Sequence, residues 1–148
     1  MTELLLFLHI LLFLFAFTFT AGTSILLGRV AAARDTRIIH AAFSAARPLS
    51  ITGGICWLLT ALAGMGLAHA YGLELTTPWL VYSYIVFAVL ILTGFLLHSP
   101  WQAKVIAASA SGDPELDALL QAPIHRIASG VSAVSVLILI YLMTAKPG

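Results

Sequence analysis

Four long apolar stretches, separated by polar or charged segments, dominate the pattern of hydrophobic positions along this chain. Each stretch reaches the roughly 20 mostly apolar residues that an α-helix needs to cross the hydrocarbon core of a bilayer. Backbone amides surrounded by lipid must be hydrogen-bonded within their own segment, so runs of this length are predicted to be helices. The pattern therefore predicts an all-α fold, a bundle of four transmembrane helices at about residues 4–27, 49–69, 78–97 and 127–143.

The composition supports lipid as the main solvent of this chain. Hydrophobic residues make up 61% of the sequence and charged residues 9%, whereas soluble domains carry about 25% charged residues. A length of 148 residues suits one domain, so residues 1–148 are treated as a single integral membrane domain. Seven Lys and Arg residues do not form a basic face for nucleic acid, which leaves the lipid bilayer as the expected surroundings.

The basic residues are distributed unevenly between the two ends of the predicted bundle. The connection 29–47 carries four arginines, and the connection 98–126 adds Lys104 and Arg126, which places six of the seven basic residues on one side. Short loops rich in Lys and Arg stay in the cytoplasm during membrane insertion. The asymmetry predicts that both long connections are cytoplasmic and that both termini lie outside.

The two cytoplasmic connections have helical patterns of their own, so the bundle is expected to carry helical cytoplasmic arms. The Ala-rich segment 30–46 is predicted to prolong the first helix beyond the membrane, and Pro48 is predicted to open the second helix. The run 113–115, Asp-Pro-Glu, has the capping residue and the first-turn proline of a helix start. A short surface helix is expected to follow it and to end before Pro123.

Small and weakly polar residues mark the faces through which helices pack in lipid. On the first helix His9 lies three turns from Thr20 on one such face. The faces comprise His9, Ala16, Thr20, Thr23, Ser24 and Leu27 on the first helix, Ser50, Gly53, Trp57, Thr60, Gly64 and Leu67 on the second, and Ser129, Ser132, Ala133 and Val136 on the fourth. These helices are predicted to contact one another, and the mostly aliphatic third helix is expected to be the most lipid-exposed.

The sequence offers little support for catalysis or for ion-coupled transport. No run matches a nucleotide-binding loop, a hydrolase nucleophile elbow or a zinc-protease helix. No Asp, Glu, Lys or Arg lies inside a predicted span, and ion-coupled transporters usually need such a residue at mid-depth. No catalytic residue is therefore assigned, an enzyme is not favoured, and a small-solute transporter is the weakest of the function classes kept.

His9 is the most informative residue, because it lies about one and a half turns inside the predicted outer edge of the membrane. His69 ends the second helix on that side, and Met65 lies one turn deeper, at the depth of His9. Imidazole and thioether groups suit heme iron or copper(I). The sequence predicts a cofactor site of His9, Met65 and His69, with His9 pointing into the bundle and Met65 or His69 as its nearest polar or sulfur-bearing neighbour. The alternative is a neutral imidazole hydrogen-bonded to a neighbouring helix.

Two further histidines, His98 and His125, lie at the cytoplasmic ends of the third and fourth helices. A site with two imidazole ligands between them is a second hypothesis. Because Arg126 follows directly, contact with lipid phosphate at the same end is another.

Three short motifs carry a resemblance to known membrane proteins: Leu8-His9-Ile10, Thr77-Pro78-Trp79-Leu80, and Tyr141-Leu142-Met143 followed by Lys146-Pro147. Together they resemble an uncharacterised bacterial family of predicted four-helix integral membrane proteins. Leu8-His9-Ile10 is also similar to the wider group of the copper-resistance protein D domain and the heme-binding HemJ-type protoporphyrinogen oxidase. This resemblance implies the bacterial inner membrane and heme b as a cofactor. The HemJ type pairs its first-helix histidine with a lysine in the third helix, and residues 78–97 contain no Lys. Only His9 carries over, which argues against porphyrinogen oxidation.

Two function classes lead on this basis. The first is an inner-membrane protein that holds heme b, or copper, near its outer face. The second is a cofactor-free structural or accessory subunit that packs with another membrane protein or with copies of itself. The colour and the Soret-region spectrum of the purified protein separate the two.

Overall fold

The computed structural model describes residues 1–147 as a set of long helices. The helices are α1 (Thr2–Ala32), α2 (Thr36–Ala70), α3 (Pro78–Thr93), α4 (Ser99–Ser111), α5 (Leu116–Gln121) and α6 (Pro123–Ala145), and a π-helical turn, Gly94–His98, joins α3 to α4. The described chain is 88% helical and contains no strand. It has four helical segments that are long and apolar enough to cross a membrane: α1, α2, α3 with α4, and α5 with α6. The predicted all-α bundle of four transmembrane helices is confirmed.

The spanning helices form two neighbouring pairs, α1 with α2 and α3 with α6. One apolar cluster, here the bundle cluster, joins the pairs with side chains from all four helices: Ala16, Trp57, Leu90, Val136 and Leu139. The end of the bundle that carries Met1, the turn at Gly72 and Lys146 is called the terminal side below. The opposite end, with the first turns of α2, the end of α4 and α5, is called the arm side.

The segment 30–46 belongs mostly to α2, so the prediction that it prolongs the first helix is wrong. α1 ends at Ala32, and Arg34 adopts a left-handed backbone conformation with φ 54° that turns the chain. The side chain of Asp35 then caps α2, because its carboxylate accepts hydrogen bonds from two backbone N–H groups of the first turn, at 2.9 and 3.2 Å. The helical pattern was recognised correctly, but the break inside it was missed.

α2 continues through Pro48, which therefore lies inside a helix and not at its start as predicted. A proline lacks the N–H group, so the carbonyl of Ser44 loses its usual helical partner. Buried residues on both sides of the proline, Ala46 and Gly53, hold the helix in place. With 35 residues, α2 is about 52 Å long. It exceeds the roughly 30 Å hydrocarbon core, so it extends beyond the core.

A second hydrophobic cluster occupies the arm side. This arm cluster consists of Leu27, Ile39, Phe43, Ala46, Trp101, Val105, Ala108 and Leu116. α4 packs against α2 here, whereas α3 packs against α6, and the π-helical turn lies where the partner changes. The indole N–H of Trp101 donates to the carbonyl of Leu119 at 3.0 Å and ties α5 to α4. The expected helical arms and the short helix before Pro123 are both confirmed.

The most exposed spanning helix is α1, so the expectation that the third helix is the most exposed is wrong. α1 buries three of its 31 residues, whereas α3 buries five of its 16. Lipid tails are as apolar as aliphatic side chains, so an aliphatic helix gains nothing by facing lipid in preference to protein. Aliphatic composition therefore did not predict which helix lies outermost.

Candidate functional site at His9

Two glycines of α2 let the backbone of α1 approach closely. Gly53 faces Thr20 and Gly64 faces His9: a Cβ atom would lie 2.8 Å from Thr20 Cγ2 at the first position and 2.9 Å from His9 Cε1 at the second. Thr20 and His9 are separated by the same three turns as Gly53 and Gly64, so the two antiparallel helices meet at matching positions. The predicted contact of the first two helices through Thr20, Gly53 and Gly64 is confirmed, whereas the fourth helix packs mainly against α3 and not against α1 and α2 as predicted. Of the predicted face of α6, Val136 is buried, Ser129 and Ser132 are half-buried and Ala133 is exposed. The buried residues of this helix are Ala128, Ser135, Val136, Leu139 and Leu142.

The imidazole of His9 lies against α2, as predicted. Its Nδ1 is 2.8 Å from the backbone carbonyl oxygen of Thr60. A carbonyl oxygen can only accept, so Nδ1 carries the proton and donates, and the lone pair of the neutral ring is on Nε2. Within residues 1–147 this is the hydrogen bond that the ring makes. The contact with Gly64 and the bond to Thr60 together fix both the position and the tautomer of the ring.

Met65 and His69 do not take the positions expected for them beside His9. Successive residues of a helix are rotated by about 100°. With Gly64 facing α1, Met65 points about 100° and His69 about 140° away from that direction. Met65 is 42% exposed and His69 is also exposed. The nearest polar partner of His9 is the Thr60 carbonyl, so the expectation that Met65 or His69 would be that partner is wrong. Their role as cofactor ligands stays a prediction.

A second polar contact joins the same helices deeper in the bundle. The indole N–H of Trp57 donates to the hydroxyl of Thr20 at 3.3 Å. That hydroxyl donates to the carbonyl of Ala16 at 2.7 Å, and the ring of Phe13 meets Trp57 edge-on with centroids 5.5 Å apart. The sequence placed Trp57 and Thr20 on facing surfaces but did not predict this bond.

On the arm side the structure brings His98 and His125 together. Their ring centroids are 5.4 Å apart, and His125 stacks on Trp101 at 4.0 Å. Nδ1 of His125 is buried without a hydrogen-bond partner. His40, further along the arm, has Nδ1 3.2 Å from the hydroxyl oxygen of Ser109. No group of three or more His, Cys, Asp or Glu residues able to hold a metal ion occurs in residues 1–147.

A cavity of about 310 Å³ opens on the arm side between the end of α1 and the start of α6. It is called the arm cavity below. Its lining includes Gly28, Ala31, Arg34, Trp101, Asp117 and Arg126. Sequence reasoning missed the cavity, because its walls come from parts of the chain about 100 residues apart. The sequence contained one clue, a pair of arginines. Arg34 follows the small residues of one wall, and Arg126 follows Pro123 in the other.

Four apolar helices with polar groups at their contacts and an aliphatic outer surface define a multi-pass integral membrane protein. A family model covers residues 3–147 of this sequence. The chain belongs to the family described as "Predicted integral membrane protein (DUF2269)". No curated protein and no solved structure matches the chain. The expected membership of an uncharacterised membrane-protein family is confirmed, and no match links the chain to the copper-resistance protein D or HemJ-type group.

Proposed function

We propose that this multi-pass membrane protein binds heme b on its terminal side, where Nε2 of His9 would hold the iron. The observation that carries the proposal is the 2.8 Å hydrogen bond from Nδ1 of His9 to the Thr60 carbonyl. Histidines that bind metals usually donate their other ring N–H to a carbonyl or carboxylate, which orients the ring and raises its basicity. The resemblance of Leu8-His9-Ile10 to heme-binding membrane proteins supports the same residue.

The surroundings of His9 suit a porphyrin. The exposed side chains of Leu6, Leu8 and Ile10 provide apolar surface on both sides of His9 along α1. One donor from the chain would be enough to hold heme iron, as in proteins whose heme is bound by a single histidine. When bound, heme supplies a redox-active iron, and the part of the protein is to hold and orient it. Copper(I) is the alternative occupant, but it needs two or more donors, and Met65 and His69 point away from the side of α2 that faces His9.

The test is the heme content of His9→Ala compared with His69→Ala. The wild type, purified in mild detergent after expression with a heme precursor, should show a Soret band and heme close to one equivalent. His9→Ala should lose nearly all of it while staying inserted and folded, because the iron loses its ligand. Added imidazole should restore the band. His69→Ala should keep the heme if His9 is the ligand from the chain, and should lose it if α2 supplies a second ligand.

A pair of glycine variants provides the control for packing damage. Gly64→Ala places a methyl group 2.9 Å from His9 Cε1, and Gly53→Ala places one 2.8 Å from Thr20 Cγ2. Both should lower the melting temperature by a similar amount. Only Gly64→Ala should also displace the imidazole and lower the heme content. Equal heme content in the two variants would contradict the role of His9.

A cofactor-free accessory subunit is the second candidate, and a specific observation favours it. The Thr60 carbonyl already accepts the hydrogen bond of the imidazole, and the ring already packs against Gly64. The contact between His9 and α2 therefore needs no cofactor. A wild-type protein that lacks both a Soret band and copper supports this candidate and rules out the first. The partner would then be another membrane protein or a second copy of the chain.

The proposal includes the bacterial inner membrane and an orientation with the arm side in the cytoplasm. The support is the six-to-one asymmetry of basic residues, with Lys146 the exception on the terminal side. Reporters of cytoplasmic and periplasmic location, fused after Gly112 and at the C-terminus, should give opposite results. The same location for both fusions would contradict the four-span topology, and a reversed pair would contradict the orientation.

A further inference from the structure

We propose that the arm cavity binds the phosphate group of an anionic phospholipid through Arg34 and Arg126. This site lies on the opposite side of the bundle from His9 and does not depend on the proposed cofactor. The ligand chemistry is that of a phosphate, which a lipid headgroup or free inorganic phosphate could supply. Four observations on shape, charge, backbone conformation and surroundings support the headgroup.

The shape of the arm cavity suits a lipid headgroup. The end of α1 presents only small side chains to it, Gly28, Ala31 and Ala32. A Cβ atom on Gly28 would meet no atom within 4 Å, so this wall is open. The volume of about 310 Å³ lies at the lower end of the roughly 300–1,000 Å³ typical of small-molecule sites. It exceeds what a single phosphate needs and leaves room for the rest of a headgroup.

The charges lining the arm cavity favour an anion. Arg34 and Arg126 contribute two guanidinium groups, and Asp117 contributes one carboxylate. Guanidinium groups bind phosphate oxygens through paired, charge-assisted hydrogen bonds, which are stronger than neutral ones. The remaining polar surface includes the exposed Gln121 and the half-buried ring of His125. Together these three side chains carry a net charge of one positive, which is opposite to the single negative charge of a phosphodiester.

The backbone of Arg34 places an arginine at a turn where glycine is the favoured residue. Its φ of 54° lies in the left-handed region, which costs a non-glycine residue of the order of 1 kcal/mol or more. After α2 and after α4 the chain uses glycine for the same conformation, at Gly72 and Gly112, and after α6 it uses Lys146. The turn after α1 uses an arginine instead, at the mouth of a cavity that the arginine lines.

The surroundings of the arm cavity distinguish a lipid from a soluble anion. The exposed side chains of Leu26, Ile124 and Ile127 belong to the same stretches of α1 and α6 that line the cavity. Acyl chains can lie along this apolar surface while the phosphate reaches the arginines. Basic pockets between transmembrane helices at the membrane surface are a known form of headgroup site.

The test measures binding of phosphatidylglycerol to the detergent-purified full chain by native mass spectrometry, with diacylglycerol as the lipid without phosphate. Arg126→Gln and Arg34→Gly should each weaken phosphatidylglycerol binding about tenfold, since each removes a charge-assisted hydrogen-bonding group. Glycine suits the left-handed turn, so Arg34→Gly should keep or raise the melting temperature while it weakens binding. Loss of the fold therefore does not explain a loss of binding.

Two controls and a competition complete the experiment. Arg37→Gln removes an exposed arginine of the same arm outside the cavity and should change binding less than twofold. Asp117→Asn removes the repelling carboxylate and should strengthen binding. Excess inorganic phosphate should compete weakly; if it displaces the lipid and itself stabilises the wild type but not the arginine variants, the source is soluble phosphate. Equal binding of diacylglycerol, or unchanged binding in both arginine variants, overturns the phosphate site.

Discussion

The arm cluster and the interior of the spanning helices are packed according to different rules. The three largest fully buried side chains are Phe43, Ile39 and Val105, and all belong to the arm cluster. Between the spanning helices many buried residues are small or weakly polar: Ala16, Thr23, Gly53, Thr60, Ser83, Thr93 and Ser135. One chain thus contains a core like that of a soluble protein and an interior typical of membrane helices.

This is the difference expected if the arm cluster faces water and the spanning helices face lipid. Next to water, burial of an aliphatic or aromatic side chain contributes about 1.5–3 kcal/mol, so large residues are drawn into the core. Next to lipid that contribution disappears, and helices associate through close van der Waals packing and hydrogen bonds. Trp57, the large buried residue between α1 and α2, fits the second rule because its indole N–H has a partner in Thr20. We infer from the fully buried Phe43, Ile39 and Val105 that the arm cluster lies outside the hydrocarbon core.

The largest expected effect is that of Phe43→Ala. The side chain is fully buried and meets Trp101 with centroids 5.4 Å apart. Its removal should lower the free energy of unfolding by about 3–5 kcal/mol and expose the loop at Gly112 to proteolysis. Phe15→Ala is the matched control, because Phe15 is 46% exposed on α1 and faces lipid. Similar melting temperatures for the two variants would remove the distinction between the regions.

A smaller effect is expected for Gly53→Leu, which tests the spanning interior. A Cβ atom here lies 2.8 Å from Thr20 and 3.1 Å from Phe19 Cβ, so the side chain forces α1 and α2 apart. Overpacking of this kind costs about 1–3 kcal/mol. The neighbouring Gly54 has no atom within 4 Å of its Cβ position, so Gly54→Leu should leave the melting temperature in detergent nearly unchanged. If Gly53 tolerates leucine as well as Gly54 does, close packing does not hold the pair together.

The smallest effect is expected for Trp57→Phe, which keeps an aromatic ring and removes the bond to Thr20. Hydrogen bonds between membrane helices contribute about 0.6 kcal/mol on average. Thr20→Val should have a similar effect, and the double variant should cost less than the two single changes added together, because both remove one interaction. Denaturant titrations of the four proteins measure this coupling. Additive effects would show that the bond contributes nothing to stability.

Much of the fold could be predicted, because the length of an apolar run predicts a spanning helix and the spacing of small residues predicts its packing face. Four apolar runs gave the spans, and the three-turn spacing of small residues gave the faces that Gly53 and Gly64 share with Thr20 and His9. The break at residues 33–35 was harder to predict, because helical periodicity continues on both sides of it. The sign in the sequence was Asp35, a residue type that often caps helices, whereas the left-handed conformation of Arg34 appears only in the structure.

The site was predicted only in part, and the reason is geometric. Depth along a helix follows from counting residues, and it placed His9 level with the correct turn of α2. The rotation of α2 about its own axis is set by its closest contact, which is Gly64. A change of one residue in that contact turns every side chain by about 100°. Met65 was therefore assigned the correct depth and the wrong direction.

The helix α2 is long enough to connect the arm cluster directly to the surroundings of His9. Phe43 in the arm cluster and Gly64 beside His9 lie on one continuous helix, about 31 Å apart along its axis. A tilt of about 5° around Phe43 carries Gly64 sideways by roughly 2.7 Å, whereas a hydrogen bond tolerates only a few tenths of an ångström. The length of the hydrogen bond between His9 and Thr60 is therefore sensitive to the tilt of α2. Pro48 is the position at which α2 bends most easily. A tilt of α2 that began at the arm cluster would therefore shift Thr60 and Gly64 relative to the His9 imidazole.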